Sequence, residues 1–258
     1  MVKIISALSV MLLICACAGN EAANTKSGTS VSAGNSFWIT RPQAGSVVII
    51  GVSGRTLTRN TAIENAREDA ARKASMYHSV YVYSESIQDI GSGFLDYYAA
   101  TDTTIRYNDQ LEFYKERLTF DPDRDVLTND NGVYVRFTYP VSFPGFINYS
   151  FARNLNDRPE WINNAPREIG GYMVGVGFSA KLFKRSDTFD KSCESAAAAL
   201  VSQLSTRITT RGVSDSNQST SVIIQTSEGR LSNFLVLEIW VDPQTNAVWT
   251  LAIAQRAS

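Results

Sequence analysis

The sequence predicts an α+β protein made of two tandem copies of a small module, each with one Ala-rich helix packed on a mostly antiparallel sheet. Three observations predict it. Short β-branched runs punctuated by glycine, such as Val47 to Ser53 with Gly51 and Gly54, read as buried strands. Two Ala-rich stretches carry apolar residues at helical spacing: Ile63, Ala66, Ala70, Ala74 and Tyr77 in one, Phe189, Cys193, Ala196, Leu200 and Leu204 in the other. Finally, landmarks recur in the same order. Trp38 and Trp161 are 161 − 38 = 123 residues apart, and Asp121-Pro122 and Asp242-Pro243 are 242 − 121 = 121 apart.

The elements follow in chain order. Met1 to Lys3 is a short positive segment, and Ile4 to Ile14 is an apolar run too short to span a bilayer as a helix, so 1–16 reads as a cleaved leader. Residues 17–36, rich in Ala, Asn, Ser, Gly and Thr, read as a flexible tether reaching roughly 25 Å. The first module covers 37–142. After its Val47–Ser53 strand, Thr61-Ala62-Ile63-Glu64 reads as a capping box that opens a helix to Tyr77. The pairs Glu68/Arg72 and Asp69/Lys73 are placed on its wet face. Tyr77 to Glu85 alternates, with Val80 and Val82 on one face and Tyr81 and Tyr83 on the other. Gly91 to Asp109 reads as a short helix or a covering loop, and Leu111 to Phe120 and Val133 to Tyr139 as sheet strands around an acidic turn. Residues 143–158 form an aromatic linker with Phe143, Phe146 and Tyr149, expected to pack between modules. The second module covers 159–258. It has a strand around Gly175-Val176-Gly177, a helix over Ser186 to Leu204, a polar loop at Ser214 to Thr220, and a closing hairpin around Asp242-Pro243-Gln244.

Composition excludes several function classes. With 24 Lys+Arg against 25 Asp+Glu the formal charge is −1, which argues against binding nucleic acid through a basic surface. A single His removes most zinc sites and most His-based catalysis, and three Cys build no disulfide framework. Gly51-Val52-Ser53-Gly54-Arg55 approaches a nucleophile elbow but has Arg55 where that motif needs Gly, and its base would have to be His78. Asp121, Asp123 and Asp125 alternate as calcium ligands do, yet Val126 follows where an EF-hand loop has Gly, so an acidic turn is the better reading. No catalytic, cofactor-binding or metal-binding set is expected. Cys193, on the apolar stripe of the second helix, reads as a buried structural thiol.

Ile14-Cys15-Ala16-Cys17 resembles the bacterial lipobox, in which the Cys after a small residue is lipidated and becomes the first residue. Cys17 fits that place, and Ala18 behind it leans toward the outer membrane. At about 0.8 kcal/mol per buried CH2, several acyl chains would make the anchor effectively permanent. Copy two resembles the LPP20 lipoprotein family through Pro159-Glu160-Trp161, Gly175-Val176-Gly177, the helix around Ala196 to Leu204, and Leu235 to Ala254 with Asp242-Pro243. Copy one is similar through Trp38, Gly51 and the Ala66 to Ala74 helix. The resemblance implies a bacterial envelope lipoprotein without catalytic residues, some relatives being flagellar components and others surface antigens.

These readings lead to an outer-membrane-anchored scaffold lipoprotein that self-associates or docks onto envelope proteins. The alternative is a monomeric lipoprotein that binds a cell-wall polymer or a host ligand. The side chains expected to form an interaction surface are Trp38, Tyr81, Tyr83, Phe143, Phe146, Tyr149 and Trp161.

Overall fold

The sequence folds, in a computed structural model, into helices and antiparallel strands, described over residues 35–40, 42–90, 100–107, 110–143, 157–215 and 218–257. The leader, Cys17, nearly all of the tether, and linker residues 144–156, including Phe146 and Tyr149, lie outside the described residues.

After a 3-10 turn at Asn35–Trp38, the chain forms strand β1 (Ser46–Ser53), helix α1 (Arg59–His78), strands β2 (Val80–Ile90) and β3 (Ala100–Tyr107), helix α2 (Leu111–Lys115), and strands β4 (Val126–Asn129) and β5 (Gly132–Pro140). The second half has helix α3 (Trp161–Asn164), strands β6 (Glu168–Ile169) and β7 (Tyr172–Ser179), helix α4 (Arg185–Leu204), and strands β8 (Thr206–Asp215), β9 (Gln218–Val241) and β10 (Val248–Arg256). The fold class is α+β. One sheet has the order β1-β5-β4, and the other has the order β3-β2-β9-β10-β7-β6 with β8 beside β9.

The two halves repeat strand, helix and strand at a constant offset. β1, α1 and β2 begin at 46, 59 and 80, and β7, α4 and β8 at 172, 185 and 206, giving 172 − 46 = 126 each time. The Asp-Pro pairs are not equivalent within this scheme. Asp242-Pro243 lies in the β9–β10 turn, whereas Asp121-Pro122 precedes β4, and the matching turn of the first half is at Asn129 to Gly132. Nor are the halves separate bodies, since 33–258 is one compact unit. β2 pairs antiparallel with β9, Val80 opposite Leu231 through Ile90 opposite Ser221, so the first half extends the sheet of the second.

β9 is 24 residues long and serves both parts. Its first stretch lies between β2 and β8, and its last pairs with β10. Asn233 sits at positive φ (54°) where the β9–β10 register slips, a bulge that bends the strand between these two roles. Leu235, Leu237, Leu251 and Ile253 share one buried cluster with Val47, Ile49 and Tyr77, so the core also crosses the halves.

Four local expectations change. The N-cap of α1 is Thr58, whose Oγ1 accepts the Thr61 N–H at 3.1 Å, three residues ahead of the expected box. Residues 111–115 are helical rather than a strand, because Leu111, Tyr114 and Leu118 recur at helical spacing, and Tyr114 and Leu118 are buried. Residues 100–107 form β3, since alternating Thr and Ile complete a ladder with β2. The polar stretch at 214–220 belongs largely to β8 and β9, where long-range pairing overrides its loop-like composition.

Small residues set the helix–sheet spacing. Ala62, Ala66, Ala70 and Ala74 are at most 2% exposed. A Cβ on Gly51 would fall inside the Ala66 carbonyl, and one on Gly177, 126 residues on, inside the Ser192 carbonyl. Gly51→Ala and Gly177→Ala should each lower the unfolding free energy by at least about 2 kcal/mol in urea titrations. Gly54→Ala, where a Cβ meets nothing within 4 Å, should stay within about 0.5 kcal/mol of wild type. Equal effects at all three positions would refute close helix–strand contact.

Candidate functional site

β1 is an edge strand. Among the described residues its one ladder is with β5, so some of its backbone N–H groups need other acceptors. α1 lies close enough to supply one: Asp69 Oδ2 accepts the Val52 N–H at 2.7 Å. The carboxylate is 2% exposed and needs a counter-charge. Lys73, one turn on, places Nζ 2.6 Å from Oδ2 and donates to the Ile50 carbonyl at 3.1 Å. Arg72 Nη2 lies 3.5 Å from the other oxygen.

α4 completes the cluster. Asp190 Oδ1 is 3.9 Å from Lys73 Nζ, so the one ammonium faces the carboxyl groups of both Asp69 and Asp190. Cys193 lies one turn further along α4 and is buried. These side chains border an open cavity of about 410 Å³, with Ile105 and Tyr107 of β3 across from them. A second, smaller space of about 20 Å³, lined by Lys73 and Cys193 together with residues of β1 and β9, has room for about one water.

The electrostatics follow from burial and from two acids close together. Burial and the neighbouring Asp69 charge push the Asp190 carboxyl up to about 7, against the opposing pull of Lys73 and Arg72. For Lys73 burial favours loss of the proton, but Asp69, Cys193 and Asp190 outweigh it and hold the ammonium above its ordinary range. Burial pushes the Cys193 thiol up to about 12, so it stays protonated and unreactive at neutral pH. The cluster can exchange a proton near neutrality and lock α1 to α4.

The expectation that Asp69 and Lys73 form a pair on the wet face is therefore corrected. Asp69 is flanked on the helix by the buried Ala66, Ala70 and Ala71, so small residues bracket it and draw it inside. That bracket was visible in the sequence. The partnership with Asp190 was not, because it joins residues 121 apart (190 − 69).

The expected interaction surface divides. Trp161 and Phe143 belong to the core instead. Trp161 is 3% exposed and donates from Nε1 to the buried Glu238 carboxylate at 2.9 Å, while Phe143 stacks on Tyr172. Large aromatic rings at the start and end of sheet segments fill the core there and leave no face for a partner. Trp38 is half-buried, stacked on Phe189 and edge-on to Tyr134. Tyr81 and Tyr83 are half-buried, and their hydroxyls donate to Glu228 and Glu85.

Ser53 and His78 are not brought together. His78 bonds Tyr139, which pairs with Val47, while Ser53 pairs with Val133, so roughly 20 Å of strand separates the two ends. In the acidic stretch, Asp121 accepts the Asp123 N–H and Asp125 accepts the Asp121 N–H, turn bonds that use their oxygens. Among the described residues no cluster of metal-binding side chains occurs. No protein-family model, curated protein or solved structure matches the chain.

Two outcomes test the cluster. In the unfolded chain Asp190 ionises near 3.8, whereas in the folded protein it keeps its proton to about 7. The native state thus binds more protons between these values, so stability should fall as pH rises from about 4 to 7 and then level off. Urea unfolding across this range should show a shallower fall for Asp190→Asn, and an unchanged slope would exclude Asp190 as its source. Lys73→Met should cost about 3–5 kcal/mol by stranding the Asp69 carboxylate, with much of the loss recovered in Asp69→Asn/Lys73→Met. A double-mutant cycle without coupling would disprove the pairing.

Proposed function

We propose that this chain is a lipid-anchored structural component of the bacterial outer membrane, of the LPP20 kind, and that its body assembles through sheet edges. The leader and the lipobox-like Ile14-Cys15-Ala16-Cys17 support the anchor. Among the described residues no helix is long and apolar enough to cross a membrane, so the proposed attachment is the lipid on Cys17.

One observation carries the assembly reading. β3, β2, the first stretch of β9, and β8 form a four-stranded antiparallel blade. Among the described residues neither outer edge, β3 or β8, pairs with a further strand. Edge strands are ordinarily blunted by proline, lysine or brevity. β3 and β8 have eight and ten residues and contain no proline or lysine, their charges being Asp102 and Arg106 on β3 and Arg207, Arg211 and Asp215 on β8. Ile208 on β8 is 65% exposed. Such edges suit strand addition by a second copy or an envelope partner, with main-chain hydrogen bonds supplying the affinity. The lipid confines the bodies to a plane and raises their effective concentration.

Light scattering after size exclusion should show multimers for residues 18–258, and Thr104→Lys on the β3 edge should return the mass to that of one chain. A wild-type monomer at every concentration would overturn self-assembly and favour the ligand-binding alternative.

A further inference from the structure

The loops that lead from β1 into α1 and from β7 into α4 occupy equivalent positions, and each ends in an apolar side chain standing in solvent. Leu57 and Phe183, 183 − 57 = 126 residues apart, are 105% and 104% exposed, while the next large apolar residue among those described, Ile208, is 65% exposed. The two loops converge on one open depression of about 540 Å³, which the β4–β5 and β9–β10 turns also border. Its charged lining is Arg55, Lys181, Lys184 and Arg185 against the single carboxylate of Asp130, a positive patch on a chain of formal charge −1. Arg55 pairs with Asp130 at 2.9 Å and Arg185 donates to the Asn246 carbonyl at 2.6 Å, while Lys181 and Lys184 are exposed. Further carboxylates, Asp121, Asp123 and Asp187, stand outside the lining.

The start of the body lies at the same end. Trp38 stacks on Phe189 at 5.5 Å, and the Arg185 guanidinium lies 5.0 Å from that ring. Ile39 then bridges Glu238 and Thr40 donates to the Leu237 carbonyl, so the chain runs away from the β9–β10 turn. From Thr40 back to Ile39 it approaches that turn, which borders the depression, and Cys17 is 35 − 17 = 18 residues upstream of Asn35.

We infer that Leu57 and Phe183 are twin insertion tips that dock the body on an anionic lipid surface, with Arg55, Lys181, Lys184 and Arg185 facing the headgroup phosphates. Two exposed apolar tips rimmed by basic side chains match the interfacial zone of a bilayer, where apolar groups enter the acyl boundary and cations meet phosphate. The tips and the patch stand on the geometry alone, while the contribution of the tether rests on the lipid-anchored reading.

The test uses the full-length protein, purified in detergent and reconstituted into vesicles of phosphatidylethanolamine with or without phosphatidylglycerol. An environment-sensitive fluorophore is placed at Leu57→Cys, Phe183→Cys or Ile208→Cys, and quenching by brominated acyl chains is read. Both tips should be quenched and Ile208 should not. Phosphatidylglycerol should strengthen the effect, and Lys181→Glu or Lys184→Glu should weaken tip docking roughly fivefold per site. Equal quenching at all three sites, or none at the tips, would overturn the proposal. In that case flotation with vesicles still reports the anchor, so the lipoprotein reading stands or falls separately. Tip fluorescence that changes with protein concentration in the absence of lipid would assign the tips to a second copy of the chain and overturn membrane docking.

Discussion

An unpaired backbone amide at the edge of β1 governs much of the molecule. The Val52 N–H must find an acceptor, and a helix side chain supplies it: Asp69 at 2.7 Å. The second half solves the same problem with a neutral group, as the Phe178 N–H donates to Ser195 Oγ at 3.2 Å, both residues lying 126 beyond their counterparts. Both bonds require the helix to lie almost on the strand, which the glycines at 51 and 177 permit. The difference between Asp and Ser then has wide effects. A hydroxyl ends the matter locally, whereas a buried carboxylate requires a cation, and Lys73 in turn sits within reach of Asp190 on the other helix. The junction of the halves is therefore charged because one of two equivalent positions is acidic.

This charged junction and the loop tips have opposite characters. The junction lies between two helices with β3 across from it, and its protonation responds to pH while its thiol stays inert. The tips are open and preformed on short loops between rigid elements, with cations around them. The blade provides a third surface, governed by backbone pairing. The proposed scaffold, docking on a membrane with one end and on neighbours with an edge, would use surfaces of these two kinds and a core stiff enough to keep them apart.

How much was legible in the sequence depended on the range of the interaction. The Ala stripes of α1 and α4, the alternation of Val80 to Tyr83 and the β9–β10 turn were readable because each is a local pattern with one period. The Trp and Asp-Pro landmarks gave spacings of 123 and 121, whereas the elements recur at 126, and the Asp-Pro pairs misled, since one lies in a hairpin turn and the other in a turn ahead of a strand. Helix α2 was missed because its apolar residues span too few turns to separate helical from strand periodicity. The pairing of β2 with β9 left no local signature, because each strand alternates correctly on its own and nothing in either names its partner. In the charge cluster, Asp69 and Lys73 were seen as a pair, but their burial depended on a sheet whose position only tertiary structure supplies.

The long strand β9 has a consequence for the order of events during folding. β2 is made early in synthesis, yet the strand it borders lies at 221–231, some 140 residues later, and loop closure over that length is slow. β1, α1, β4 and β5 can come together once the ribosome has passed residue 140, but the β2–β3 hairpin must wait with one flank open until nearly the whole chain has emerged. The open flank is the kind of edge that pairs wrongly with a neighbouring chain. A chain of this design gains from being held unfolded until its C-terminal third is available, so the topology itself selects for late, all-at-once folding over folding by halves.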